Sequence, residues 1–459
     1  MRNCVVERIL IETGLGKGVT EYGNTGDISM LQVAVNRLHD LFPNARIEVL
    51  TDSAENLARF CPAAVPLANR GRALWFANGV LLGRYSDLAP RWFVNLLTRF
   101  KRTVRSRCPH LLSSIVTHRL HGRNRPAEAE TVKAFTRALQ SADLLLICGA
   151  GGFYDGCQGW NLDILDLVEA AIQRDVPVVM FGQGFGPISD PFVLKRAAKV
   201  LPLVNFITLR GGRGSLAILR SLGVPESKVQ TTGDEALELA YELRSEEGGQ
   251  SLGINLRFAG SASTDDEDIK CIRAVLQDFA GRHGVSLTPL PIAMHAYSRD
   301  DLTIRQLLIG FDDQSDGGRT LDTPLKVIKQ AALCRVVVTG AYHAAVFALA
   351  QGIPVVGLAK SKYFSSKFLG LEDQFGEGCQ TVFLDNPALP HRLYSAIERA
   401  WQNADKLRVP IQAAARRQIQ SSQRSYEWLN RLAGRTNSCS NRRSALTSTC
   451  YSDLPHGRD

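Results

Sequence analysis

Leu144-Leu145-Leu146-Ile147-Cys148-Gly149-Ala150-Gly151-Gly152-Phe153-Tyr154-Asp155 is the stretch from which the rest of the chain can be read. Five apolar residues run without a break and stop at a glycine cluster. So short a run reads as a strand covered on both faces, the habit of parallel sheets. The glycines let a backbone approach a ligand closely and present its amides. The plainer reading is a tight strand-to-helix turn, since residues 162–174 have a helical pattern. Toward the C-terminus the alternation repeats. Residues 176–181 read as strand, 191–200 as helix, 206–209 as strand, and 213–222 as helix ending at Gly223. Toward the N-terminus, residues 4–11 and 47–51 read as strands. Between them, residues 27–41 place Ile28, Leu31, Val35 and Leu38 on one helical face. Alternating strands and helices with apolar strands imply a doubly wound α/β sheet.

The pattern then restarts. Ser245 to Gln250 reads as a linker. Beyond it, 251–257, 285–292, 335–339 and 353–358 read as strands. Residues 266–283, 324–333, 343–351 and 389–433 read as helical. The expected fold class is α/β with two Rossmann-like domains facing each other, 1–240 and 251–433. Residues 68–130 form an insertion in the first. Residues 435–459, rich in Ser, Thr, Asn and Arg, are expected to be a disordered tail.

Composition narrows the class. The chain has 459 residues, 45% hydrophobic and 22% charged, which suits a soluble globular protein of two or three domains. No run approaches the ~18 apolar residues of a membrane span. Arg2, Glu7 and Arg8 around a very short apolar run do not make a secretory signal. A cytoplasmic location is expected. The ten cysteines include no pair at zinc-knuckle or thioredoxin-like spacing. The net charge of +9 has one source: residues 91–125 hold nine Lys and Arg and no Asp or Glu. Trp92, Phe93, Leu96, Leu97 and Phe100 interleave with them. An apolar face beside a cationic one suits an anionic membrane surface. A core helix with a solvated basic edge is the alternative. No nucleic-acid module accompanies the charge, so nucleic acid is not an expected partner.

In an open parallel sheet, ligands bind beyond the C-terminal ends of the strands, and the remaining punctuation lies there. Asn24, Gly26 and Asp27 open a helix, where free amides and the dipole suit an anion; a plain helix cap is the other reading. Gly151 and Gly152 belong to the glycine cluster. Gln183 lies in Gly182-Gln183-Gly184-Phe185-Gly186-Pro187, whose spacing is wrong for a dinucleotide fingerprint. Arg210 ends a strand and suits a bidentate phosphate or carboxylate contact, or a structural ion pair. Thr339, Gly340, Tyr342 and His343 open the helix 343–351. A histidine there is kept near neutral by the dipole and suits acid/base work. Lys360, Lys362 and Lys367 follow the next strand, either to hold an anion or as a solvated loop.

The ordered set Asn24 to Asp27, Gly149 to Asp155, Gly182 to Pro187, Arg210 with Ser215 and Leu222-Gly223-Val224, Asp234, and Thr339 to Pro354 resembles the polysaccharide pyruvyl transferase family. The resemblance implies a GT-B-like architecture with the active site in the inter-domain cleft. It implies transfer of the pyruvyl group of phosphoenolpyruvate to a sugar, forming a ketal and releasing phosphate. No cofactor is implied beyond that donor substrate. The acceptor is a saccharide of a surface polysaccharide or its polyprenyl-diphosphate-linked precursor. Such an acceptor makes a peripheral position on the inner face of the plasma membrane useful. Carried over by position, Arg210 and the His343 region bind the donor, with His343 the candidate acid or base. Many members have arginine two residues before the histidine; this chain has Ala341. Lys360, Lys362 or Arg257 could supply the missing charge. Two other readings remain: a glycosyltransferase of the same architecture using a nucleotide sugar, and a glycan-binding relative without turnover.

Overall fold

Strand β1 (Arg8–Glu12) buries Ile9, Leu10 and Ile11 on alternating faces, which requires cover on both sides. The computed structural model, which describes residues 6–15, 22–77, 79–82, 90–149, 151–257, 262–296 and 298–448, supplies that cover with helices. Helix α1 (Thr25–Leu41), β2 (Arg46–Leu50), α2 (Ala54–Phe60) and β3 (Val65–Leu67) run to one edge of the sheet. The insertion follows as α3 (Asn69–Phe76), α4 (Gly79–Leu82), α5 (Arg91–Arg107) and α6 (Pro109–His121). Then α7 (Pro126–Ser141) brings the chain back to β4 (Leu144–Ile147), beside β1. From there α8 (Gln158–Ile172), β5 (Val178–Gln183), α9 (Pro191–Val200), β6 (Phe206–Leu209), α10 (Arg213–Ser221), β7 (Val229–Thr231) and α11 (Ala236–Glu242) run to the other edge. The strand order is β3-β2-β1-β4-β5-β6-β7, all parallel. The direction of winding reverses between β1 and β4, which opens a crevice there.

The second half has its own parallel sheet. It contains β8 (Ser251–Asn255), α12 (Asp266–His283), β9 (Leu287–Pro289) and the short strands β10 (Met294–His295) and β11 (Ser298–Arg299). After them come α13 (Asp300–Leu308), α14 (Pro324–Ala331), β12 (Cys334–Thr339), α15 (Tyr342–Ala350), β13 (Val355–Ala359), α16 (Lys362–Phe375) and β14 (Cys379–Phe383). The main order is β14-β13-β12-β8-β9, so winding reverses between β8 and β12. Helices α1 and α11 pack on α14 and α15, and an apolar core runs through that seam from Ile28 and Met30 to Phe347 and Phe368. All nine residues of α15 are buried, which is why its sequence is apolar all round.

The last helix, α17 (Leu389–Ser448), corrects two expectations. It starts against the second sheet but sends Tyr426 and Trp428 onto Phe181 and Phe206 of the first. The 251–433 segment is therefore not confined to one domain. The helix also continues into the stretch expected to be a disordered tail; residues 449–459 lie outside the described residues. Low apolar content suggested disorder, but between Ile411 and Ser448 there is no proline, and the isolated Gly434 is tolerated in a helix.

The insertion is partly core. Trp75, Leu112, Val116 and Leu120 join Val132 and Phe135 of α7 in one apolar cluster. Among the basic residues whose side chains are described, Lys101 and Arg105 turn inward. Lys101 Nζ donates to the carbonyls of Phe76 and Ala77 at the end of α3, a position that favours a cation. Arg105 lies over the rings of Trp75 and Phe76. Leu96, Phe100, Leu111 and Ile115 point to solvent instead. The side chains of Trp92 and Phe93 lie outside the described residues. No helix among the described residues is long and apolar enough to cross a membrane.

Candidate active site

Both reversals of winding open onto one seam. Gly151 follows β4, Arg210 follows β6, Asp234 follows β7, and α15 starts two residues beyond β12. The buried Arg210 donates from Nη1 to Asp234 Oδ2 at 3.3 Å. The same Nη1 stands 3.5 Å from His343 Nε2, which is itself 3.5 Å from Asp234 Oδ2. The guanidinium also lies 4.6 Å over the Tyr342 ring. A guanidinium and a carboxylate from the first domain thus meet an imidazole and a phenol from the second.

The electrostatics of this group are fixed by burial and pairing. Desolvation alone would raise the Asp234 pKa. The hydrogen bond and charge of His343, the charge of Arg210 and the Ala236 amide outweigh it, so the carboxyl lies below its ordinary value. Asp234 is therefore ionised and lies within reach of both Arg210 and His343. Gly26 makes the meeting possible, because a Cβ at that position would overlap the His343 ring.

A cavity of about 700 Å³ lies beside this group. Gly151, Gly184, Arg210, Ser215, Tyr342, Lys360, Tyr363 and Lys367 are among its lining residues; His343, at 5% exposure, is not. The hydroxyl of Tyr363 donates to the Gly151 carbonyl, and its ring stacks on Tyr154. These contacts bring α16 of the second domain down onto the glycine loop of the first.

The residues singled out in the sequence divide into two groups. Gly26, Gly151, Arg210, Tyr342 and His343 converge on the seam. Asn24 uses its side chain to accept from the Gly26 and Asp27 amides, the cap that was its plainer reading, and pairs by backbone with Ala293. Asp27, in the first turn of α1, lies close enough for its charge to act on Arg210 and Lys367. Gly152 leaves room for the Trp160 ring.

The others have structural duties instead. Gln183 is fully buried and donates to the carbonyls of Ile147, Cys148 and Phe181, so its amide ties β4 to β5 and faces no ligand. Thr339 accepts from the Ala341 amide and shapes the turn into α15. Gly340 lets the Arg257 backbone pass close. Arg257 is paired with Asp300. Lys360 borders the cavity, but its ammonium is held by Asp265 and Asp268, the capping box of α12. The sequence reading did not place Asp234 or Tyr363 among the site residues, and it left Lys367 open between holding an anion and a solvated loop. Asp234 carried a signal, since it stands in the ordered set of motifs on which the family resemblance rests.

The profile of the polysaccharide pyruvyl transferase family matches residues 24–361. No curated protein matches the chain at significant similarity. Among solved structures, the chain is similar to S. aureus MnaA with UDP, at 11% identity and TM-score 0.51, over 89% of this chain and 94% of that one. A putative UDP-N-acetylglucosamine 2-epimerase from Listeria monocytogenes is similar at 10% identity and TM-score 0.50, over 91% and 94%. A glycosyltransferase from Rickettsia africae ESF-5 follows at 9% identity and TM-score 0.48, over 93% and 98%. For the first two the likeness is one of fold alone, and this chain has a GT-B-like pair of Rossmann-like domains with a cleft between them. The family match spans most of both domains, from the cap of α1 through His343 to the start of the α16 segment, and by it the chain belongs to the polysaccharide pyruvyl transferase family.

Proposed function

We propose that this transferase moves the pyruvyl group of phosphoenolpyruvate onto a sugar of a surface polysaccharide or its lipid-linked precursor. The observation that supports it is Arg210 and Lys367 converging with the Gly151 loop on one cavity. A small dianion needs that combination of cations and close backbone. In the reaction, the methylene carbon of the enol phosphate takes a proton and the adjacent carbon becomes oxocarbenium-like. One sugar hydroxyl adds there, the bond to phosphate breaks, and a second hydroxyl closes the ketal. One hydroxyl proton balances that taken by the methylene, and the other leaves with phosphate or a base. Arg210 stabilises the departing phosphate. His343, with its nitrogen facing Asp234 and Arg210, is the acid or base. No step calls for a cofactor.

Labelled phosphoenolpyruvate with a glycan acceptor tests this reading. Label transfer with phosphate release is expected. Release of a nucleoside diphosphate from a nucleotide sugar would instead make the protein a glycosyltransferase, and glycan binding without turnover a non-catalytic relative. The partner reading is peripheral attachment to an anionic membrane on the cytoplasmic side, where a polyprenyl-linked acceptor resides. Exposed Leu96, Phe100, Leu111 and Ile115 beside exposed Arg107, Arg119 and Arg123 support it.

A further inference from the structure

The cations around the cavity differ in their partners. Arg210 is paired with Asp234, Arg257 with Asp300, and Lys360 with Asp265 and Asp268. Lys362 is exposed at the rim. Lys367 lines the cavity and has no carboxylate within 4.0 Å among the described residues. Aromatic faces surround it instead. Its Nζ is 4.0 Å from the centroid of the Tyr363 ring, 5.2 Å from that of Phe364 and 5.5 Å from that of Tyr342. It also converges with Arg210 on one point. A Cβ added to Gly151 would lie 3.0 Å from Lys367 Nζ and would overlap Arg210 Nη2. Two basic groups therefore approach the same glycine, and only one of them has a carboxylate.

We propose that Lys367 is the second cation of the donor site, its ammonium and the Arg210 guanidinium holding the anionic donor between them above Gly151. The inference rests on the pyruvyl-transfer reading, which makes that donor phosphoenolpyruvate. The donor carries both a phosphate and a carboxylate. Arg210 already has its charge offset by Asp234, and Ala341 supplies none. The ammonium of Lys367 provides the charge for the second anionic group.

Binding is then coupled to a proton. Desolvation, followed by the charges of Arg210 and Arg257, holds the Lys367 amine well below its ordinary value; Asp27 and Asp234 act the other way without overcoming it. The other titratable groups facing it contribute no charge near neutral pH. The phenols of Tyr342 and Tyr363 are pushed up by burial, as is the Cys157 thiol. A bound anion supplies the missing countercharge, so the amine takes a proton from solvent as the donor enters.

Calorimetric titration of the full chain with phosphoenolpyruvate, in buffers of different ionisation enthalpy near about pH 8, reads this directly. Wild type is expected to take up a proton on binding. Lys367→Met should weaken binding at least about tenfold and abolish the uptake. Lys367→Arg should bind within a few-fold of wild type, also without uptake, which separates loss of charge from loss of folding. Undiminished affinity and uptake in Lys367→Met would overturn the proposal while leaving pyruvyl transfer intact. A wild type that binds UDP but not phosphoenolpyruvate would overturn both.

Discussion

His343 reaches Asp234 only because residue 26 is glycine. Gly26→Ala places a methyl group inside the space of the imidazole, and either the ring or the start of α1 must move. Displacement of a reacting group by about 1 Å can cost ~100-fold in rate. Gly26→Ala should therefore lower kcat by about that factor while the Asn24 cap persists, which steady-state kinetics and circular dichroism check together. His343→Ala should cost at least ~100-fold and remove one limb of the pH–rate profile. A limb that survives in this variant would reduce His343 to a group that positions Arg210. At this scale the sequence exposed Arg210, Gly151 and His343 because each lies just beyond a strand end. Lys367 could not be told from its neighbours Lys360 and Lys362: it sits within α16, and its place depends on that helix crossing onto a loop more than 200 residues earlier. Gln183 shows the opposite case: a polar residue among glycines looks available in the sequence, while in the fold its amide nitrogen donates to buried carbonyls.

Elements were legible where they were long or uniformly apolar. Strands β4, β5, β6 and β12 stand within a residue or two of their expected bounds, because burial on both faces forces an unbroken apolar run. The three-residue strands β3 and β7 were not seen, and no periodicity can mark so short a segment. The basic insertion was recognised as an element apart, but its orientation was not. Lys101 and Arg105 face α3, and Leu96 and Phe100 face solvent, because the end of α3 offers carbonyls and rings to cations. Leu96 and Phe100 of α5 are therefore open to solvent, with exposed Arg107 at the end of the helix. Replacing Leu96 and Phe100 together by Ser should lower sedimentation with anionic vesicles several-fold and leave neutral-vesicle binding and unfolding unchanged. Equal sedimentation of wild type with both kinds of vesicle would remove lipid headgroup charge from the account.

The molecule as a whole is two sheets held around one seam, and α17 straps them together. Its Tyr426 hydroxyl donates to Glu235 Oε1 at 2.7 Å, and Ser422 accepts from Arg37 at the same distance. Glu235 adjoins Asp234, so the strap ends one residue from the active site. Nothing in the sequence announced this contact, because it joins residues 191 apart through tertiary packing alone. Its consequence is a pH dependence of stability. Burial pushes the Glu235 carboxyl up to about 7, although Arg37 and the Tyr426 hydroxyl pull it down. In the unfolded chain it titrates near ~4.3. Between those values the folded protein keeps a proton that the unfolded chain has released. This group therefore favours the fold most below about pH 4.3, and its contribution falls as pH rises to about 7, by roughly 4 kcal/mol. Glu235→Gln stays neutral throughout and should flatten the change in urea midpoint over that window. Tyr426→Phe removes one of the groups that favour ionisation, so the decline should extend to higher pH. An identical slope in wild type and Glu235→Gln would show that the strap holds its carboxylate charged, with Arg37 outweighing burial.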